Sequence, residues 1–282
     1  MKKLYSLIRA CMTSDMSLFK IKAYKNSKRG SLLPLFIALY LMFLIWGSAN
    51  TMFEKLFPMN LAPFLLALAS FSISIMTIIE GVYKSGSLIF NAKDDDLLLS
   101  LPIKRSTVLF IRVFKFYTFE LLFNSMFLLP VMIAYIRWGS SITWTYYLSS
   151  LIMLLLLPII PIVISCIIGA LTSSLSSRFK YKNALEIIIS MIFLIGILYF
   201  SFNVEGLFNY ITENANSIND IITKIYYPAG VYASLLTKFD IVKLLIFIGI
   251  NLVVFILGIL LLSKFYFKIN SRLKKVTTII YL

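Results

Sequence analysis

Long apolar runs separated by short polar segments dominate the chain, which has 282 residues. A helix needs about 20 apolar residues to cross the hydrocarbon core of a bilayer. Backbone groups in lipid must be hydrogen-bonded internally, so runs of this length predict helices rather than barrel strands. Six runs qualify as predicted spans: residues 32–50, 61–82, 108–136, 144–171, 184–202 and 241–263.

Most of the 27 lysines and arginines lie in alternate connections between these runs. They occupy the arm 1–31, the segments after the second and fourth runs, and the tail 264–282. Cytoplasmic loops are enriched in Lys and Arg, so we expect these four segments on the inner side of the membrane. The predicted fold class is therefore an all-α integral membrane protein with six transmembrane helices over 32–263 and both termini in the cytoplasm.

The arm 1–31 has its own helical periodicity. Leu4, Leu7, Ile8 and Cys11 recur at the spacing of one helix face, and basic residues occupy much of the rest. This pattern predicts an amphipathic helix on the anionic inner leaflet. A disordered basic tail that only sets topology is the alternative. The arm contains no apolar core of signal-peptide length, so we expect no cleaved signal.

Composition agrees with a lipid environment and argues against several functions. The chain is 60% hydrophobic and 14% charged, whereas soluble domains are about half apolar and a quarter charged. The net charge of +15 could suit nucleic acid, but its distribution follows the membrane topology. We therefore expect the lipid bilayer as a partner and no nucleic acid.

The sequence offers little for catalysis or for a metal. It contains no histidine, the commonest general base and metal ligand, and its two cysteines, Cys11 and Cys166, lie in an arm and in a span. The stretch from Gly81 to Ser87 lacks the Gly-Lys pair of a phosphate loop. We expect no disulfide, catalytic residue, metal or cofactor, and therefore a chain that is not an enzyme.

Two connections are more than simple turns. The outer segment before the last span contains an apolar stretch, Ile221–Leu236, that is too broken to span. It is predicted to lie along or dip into the outer leaflet, with an ordinary surface loop as the alternative. The inner segment Lys84–Thr107 carries an acidic triplet, Asp94–Asp96, followed by leucines. It predicts a short surface helix that Pro102 ends and that suits docking into a groove of a partner protein, with a solvated loop that carries an acidic cluster as the alternative.

The string FNAKDDDLLLSLPIKRSTVLFIRV, from Phe90 to Val113, resembles the cytoplasmic segment between spans 2 and 3 of ABC-2-type permeases. These are the membrane subunits of ATP-binding-cassette exporters. The basic N-terminal helix, the six spans and the outer segment before the last span, which in this family contains short re-entrant helices, match the family as well. Some members are about twice as long. This chain resembles either a half-length member or part of a longer one.

The resemblance implies partners and contact residues. It implies a second permease subunit and cytoplasmic ABC ATPase subunits that dock on Lys84–Thr107 and on a smaller segment, Ser173–Asn183. The implied ATPase contacts are Asp94, Asp95, Asp96, Leu97, Leu98, Leu101, Pro102, Lys104 and Arg105, with Arg178 and Lys180 in the smaller segment. It also implies export of a substrate across the plasma membrane of a bacterium.

Polar residues within spans form a second set of candidates, because charge in lipid is costly. Glu120 lies deep in the third span with Asn124 one turn on, and the two predict either an interhelical contact or part of a translocation path. Glu80 and Lys84 are spaced as a helical ion pair. Pro158 and Pro161 are expected to kink the fourth span. A transporter driven by an ion gradient is the alternative function; a membrane enzyme lacks catalytic groups here.

Overall fold

The computed structural model describes residues 33–85, 105–139, 143–176 and 213–280, with the single positions 191, 195 and 210. Every regular element in these ranges is an α-helix, and they contain no strand. In chain order the helices are α1 Leu33–Leu56, α2 Ala62–Ser85, α3 Arg105–Trp138, α4 Trp144–Leu156, α5 Ile159–Ser176, α6 Ala215–Ile225, α7 Tyr227–Thr237 and α8 Ile241–Ile280.

Five segments are long and apolar enough to cross a membrane: Leu35–Leu56, Ala62–Val82, Thr107–Trp138, Trp144–Leu171 and Ile241–Ser263. They coincide with the predicted first, second, third, fourth and sixth spans, and the first is longer than predicted. The arm 1–31 lies outside the described residues, as does the predicted span 184–202 apart from two positions. The chain is thus an all-helical, multi-pass membrane protein.

The turn between α1 and α2 is closed by an asparagine in the left-handed region. Asn60 has φ 57°, a conformation that asparagine tolerates better than most residues. The amide of Leu61 donates to the carbonyl of Leu56 at 3.0 Å, and the amide of Asn60 donates to that of Phe57 at 3.0 Å. These bonds satisfy the carbonyl of the last residue of α1 and that of the residue after it, and they reverse the chain within a few residues.

The fourth span is broken where the sequence predicts a kink. Pro158 and Pro161 have no amide hydrogen to donate one turn back, so α4 ends at Leu156 and α5 begins at Ile159. The helical bonds resume at once, because the amide of Ile162 donates to the carbonyl of Pro158 at 3.0 Å. From α3 the hydroxyl of Tyr117 donates to the carbonyl of Leu155 at 2.7 Å, so it hydrogen-bonds the backbone beside the break.

Two buried clusters mark the two ends of the bundle. The first cluster lies at the end of the bundle that we call the hairpin end. It joins the end of α1, the start of α2, the end of α3, α4, α7 and the start of α8. Its members include Phe53, Leu66, Met132, Met153, Tyr232 and Phe247. The second cluster lies at the other end of the bundle, which we call the opposite end. It joins the start of α3 to α5 and the later part of α8, and it includes Leu109, Phe116, Cys166 and Leu262. The first four spans therefore alternate in direction, whereas α8 runs in the same direction as the fourth span.

Helices α6 and α7 form a short helical pair before the last span, which we call the α6–α7 hairpin. Ala215, Ile222 and Ala229 are buried against Phe64 of α2, so the hairpin is anchored to the second span. Burial raises the pKa of the Tyr226 phenol, between the two helices, to about 12. This phenol is therefore neutral at physiological pH.

Candidate functional site

The residues predicted to contact an ATPase lie almost entirely outside the described part of the chain. This holds for positions 94–98, 101, 102 and 104 and for Arg178 and Lys180. Arg105 is the first residue of α3. It therefore joins the predicted docking segment directly to the third span, at the opposite end of the bundle.

The second predicted set, Glu120 and Asn124, is fully buried on α3. The Asn124 amide nitrogen donates to the backbone carbonyl of Glu120 at 2.8 Å and to the hydroxyl of Thr77, on α2, at 3.1 Å. The Thr77 hydroxyl lies 3.3 Å from the Asn124 amide oxygen, to which it can donate. Glu120 and Asn124 thus contact each other within α3, and Asn124 also contacts Thr77 across the interface between α2 and α3.

The Glu120 carboxylate reaches α2 through a lysine. Its Oε1 lies 3.5 Å from Lys84 Nζ, while Lys84 also forms a shorter ion pair with Glu80, one turn earlier on α2. We call Glu80, Lys84 and Glu120 the acid–lysine cluster. Glu120 is fully buried, whereas the side chains of Glu80 and Lys84 are each about one third exposed. The cluster therefore extends from the bundle interior to the surface near the end of α2.

Small and hydroxylated residues line the face of α2 that carries this cluster. Ser70, Ser74, Thr77 and Ser85 are buried. A Cβ atom added to Gly81 would lie 2.7 Å from Ser165 Cβ, and one added to Gly169 would lie 3.0 Å from Ser85 Cβ. Helices α2 and α5 therefore approach each other too closely for larger side chains, as small residues permit in membrane bundles.

Three members of this buried polar region were not identified from the sequence. Thr77 is not among the residues predicted from the sequence, and Lys84 is predicted to pair with Glu80 but not with Glu120. Arg112, which is buried on α3, is not among the predicted residues either. The sequence contains one signal for the polar face of α2. Ser70, Ser74, Thr77, Gly81 and Ser85 are spaced by three and four residues, which places them on one face of a helix.

A separate cavity of about 120 Å³ lies at the hairpin end. Aromatic rings and threonine hydroxyls line it: Phe57, Tyr135, Tyr146, Phe239, Thr143, Thr145 and Thr237, with Gly139, Leu235 and Leu236. Tyr146 also fixes the local packing, because its hydroxyl donates to the carbonyl of Met132 at 2.9 Å. This cavity shares no residue with the acid–lysine cluster.

Metal ligands do not assemble in the described part of the chain, where no group of three or more His, Cys, Asp or Glu could hold an ion. Cys166 is buried and free. It packs among the apolar residues of the second buried cluster.

No protein-family model matches the chain, and no curated protein or solved structure matches it either. Function must therefore be inferred from the residues and their geometry.

Proposed function

We propose that this chain is the permease subunit of an ABC exporter in a bacterial plasma membrane. Two such subunits, identical or related, would enclose the translocation pathway, and two separate cytoplasmic ATPase subunits would bind to Lys84–Thr107 and Ser173–Asn183. The observation that carries the proposal is the stretch Asp-Asp-Leu-Leu-x-Ser-Leu-Pro-Ile, residues 95–103, between the second and third spans. Closure of the ATPases would then shift the spans between two states of the pathway.

The arrangement of the described helices supports this proposal. Helix α5 runs from the break toward the opposite end, while α6 lies at the hairpin end. The chain between them starts and finishes at opposite ends of the bundle, as a sixth crossing at 184–202 would require. If the chain has six spans, the four basic segments lie on the same side of the membrane. Because cytoplasmic loops are enriched in Lys and Arg, we place that side in the cytoplasm.

The α6–α7 hairpin adds support. A short helical pair before the last span is the arrangement that the family resemblance implies for the outer segment. Here the pair is anchored on α2 through Ile222 and Ala229. Helix α2 ends at Ser85, beside the proposed docking segment. One helix therefore connects the outer hairpin with the segment on which the ATPase would act.

A transporter driven by an ion gradient is the second candidate. The acid–lysine cluster favours it, because ionisable groups within spans are common sites of ion or proton movement. The two candidates differ in one observable property. The exporter requires a separate ATPase that copurifies with the chain, and the ion-driven transporter does not.

The first test is whether a neighbouring reading frame encodes an ATPase with a phosphate loop; such an ATPase is then coexpressed with the chain for copurification and ATPase measurements in proteoliposomes. Triple charge reversal, Asp94→Lys, Asp95→Lys and Asp96→Lys, should leave membrane insertion intact and abolish stimulation of the ATPase by the permease. A matched control reverses two acidic residues on the other side, Glu213→Lys and Asp220→Lys, and should retain stimulation. Unchanged transport-linked ATP hydrolysis in the triple variant would contradict the docking role.

A further inference from the structure

The acid–lysine cluster contains one more negative than positive group. From α2, Glu80 and Lys84 face Glu120, and from α5 the buried thiol of Cys166 lies near it. On α3 itself, Tyr117 bonds to the carbonyl of Leu155, and Arg112 lies eight residues earlier, about 12 Å along the helix axis. Two ionised carboxylates and one ammonium would leave a net negative charge inside the bundle.

Glu120 is the buried member of this cluster, and one of its two carboxyl oxygens is unpaired. Oε2 of Glu120 has no hydrogen-bond partner among the described residues, and water does not reach it. An ionised Glu120 would lie away from water, and its one ionic contact would be to a lysine that already pairs more closely with Glu80. Such a charge is strongly unfavourable, and buried carboxyl groups commonly become neutral instead. Some positive charge must therefore accompany Glu120 in the folded state.

Three features identify that charge as a proton on Glu120. Lys84 is closer to Glu80 than to Glu120, although an ionised and dehydrated Glu120 would compete strongly for the ammonium. Glu80 Oε2 is likewise buried and without a hydrogen-bond partner, but Glu80 has the shorter ion pair with Lys84 and a side chain about one third exposed, so it can remain charged. A metal cation would need several oxygen ligands, and the Lys84 ammonium already lies between the two carboxylates.

We propose that Glu120 binds an exchangeable proton on Oε2, beside an ionised Glu80–Lys84 pair. Loss of the proton would leave a buried carboxylate, which would draw the Lys84 ammonium away from Glu80. Proton occupancy and the partner of Lys84 are thereby linked, and the partly exposed Glu80 and Lys84 provide access from the end of α2. This inference is independent of the proposed exporter function.

The first experiment is infrared spectroscopy of the full-length protein in lipid nanodiscs at neutral pH. The spectrum of the native protein minus that of Glu120→Gln should contain the carbonyl band of a protonated carboxylic acid, shifted in deuterated buffer. The matched control, Glu80→Gln, should remove carboxylate bands instead. Carboxylate bands in the Glu120→Gln difference spectrum would overturn the proposal.

A second measurement needs no variant, and so covers the case in which Glu120→Gln does not fold. Dicyclohexylcarbodiimide enters apolar regions and reacts with protonated carboxyl groups, and mass spectrometry locates the adduct. Labelling of the native protein at Glu120 should be strong at neutral pH and be lost as pH rises. Absence of labelling at neutral pH would contradict the proposal. Protection of Glu120 by Na⁺ but not by K⁺ would identify a sodium site and also overturn it.

Discussion

Small residues at two points of the α2–α5 interface determine how closely these helices approach. A Cβ atom on Gly81 would lie 2.7 Å from Ser165 Cβ and 3.1 Å from a ring carbon of Phe116. Both neighbours are themselves buried, so neither can move away easily. The interface therefore depends on the absence of a side chain at this position.

Substitution Gly81→Ala is expected to destabilise the bundle, by about 1–3 kcal/mol as for other overpacked sites. The measurement is thermal or denaturant unfolding in detergent micelles. Gly47→Ala serves as the matched control, because a Cβ atom there meets nothing within 4 Å and alanine is the better helix former. Equal stability of the two variants would show that the close contact at Gly81 does not limit the packing.

The contrast between Glu120 and Lys84 shows what can be predicted for single residues. Glu120 was recognised because a carboxylate deep in an apolar run is visible in one segment of sequence. Its contact with Lys84 was not, because it depends on how α2 and α3 are rotated and displaced relative to each other. Positions within one helix are fixed by its period, whereas contacts between helices require the packing itself.

At the level of elements, the α6–α7 hairpin has two unlike sides. On α6, Ile222 is buried against α2, whereas Ile221 and Ile225 are exposed to the surroundings of the protein. Exposed isoleucines beside a membrane-spanning helix are favourable where lipid covers them. We therefore expect this side of α6 to contact the interfacial region of the outer leaflet.

This contact is testable by fluorescence quenching in liposomes. A fluorophore attached at Ile225→Cys should be quenched by lipids that carry a nitroxide near the headgroup. The same fluorophore at Asn216→Cys, an exposed residue on the opposite side of α6, should be quenched much less. Similar quenching at both positions would mean that α6 does not lie on the lipid surface.

For whole elements, features that depend on interactions within one helix can be predicted from the sequence, and contacts between distant segments cannot. The break at Pro158 was expected because a missing amide hydrogen acts within one turn of the same helix. The broken stretch before the last span was also recognised, but not its anchoring on Phe64 of α2. That contact joins segments far apart in sequence, and no periodicity within either segment encodes it.

For the whole molecule, antiparallel packing constrains which segments share a side of the membrane. The α1–α2 turn lies at the hairpin end, and the start of α3 lies at the opposite end. Five of the six predicted spans are found among the described helices because length and apolarity alone define a span. Their orientation relative to the cell rests on the charge pattern and stays a prediction.

Sidedness can be measured with single cysteines in a background that carries Cys11→Ser and Cys166→Ala. Met59→Cys, in the exposed α1–α2 turn, should react with an impermeant maleimide in intact cells. Asp95→Cys should react only after the cells are permeabilised, because we place it in the cytoplasm. Labelling of Asp95→Cys in intact cells would invert the topology and remove the basis for ATPase docking.

Helix α8 continues to Ile280, well past the end of its apolar segment at Ser263. Its 40 residues correspond to a rod about 60 Å long, roughly twice the thickness of the hydrocarbon core. Near its start Leu244 and Phe247 are packed among the helices of the hairpin end. Leu262 is packed at the opposite end, so the helix is held at both ends of the bundle. If the helix tilts by a few degrees as a rigid rod, its far tip moves through several ångströms, so a small change at one face of the membrane becomes a larger displacement beyond the other.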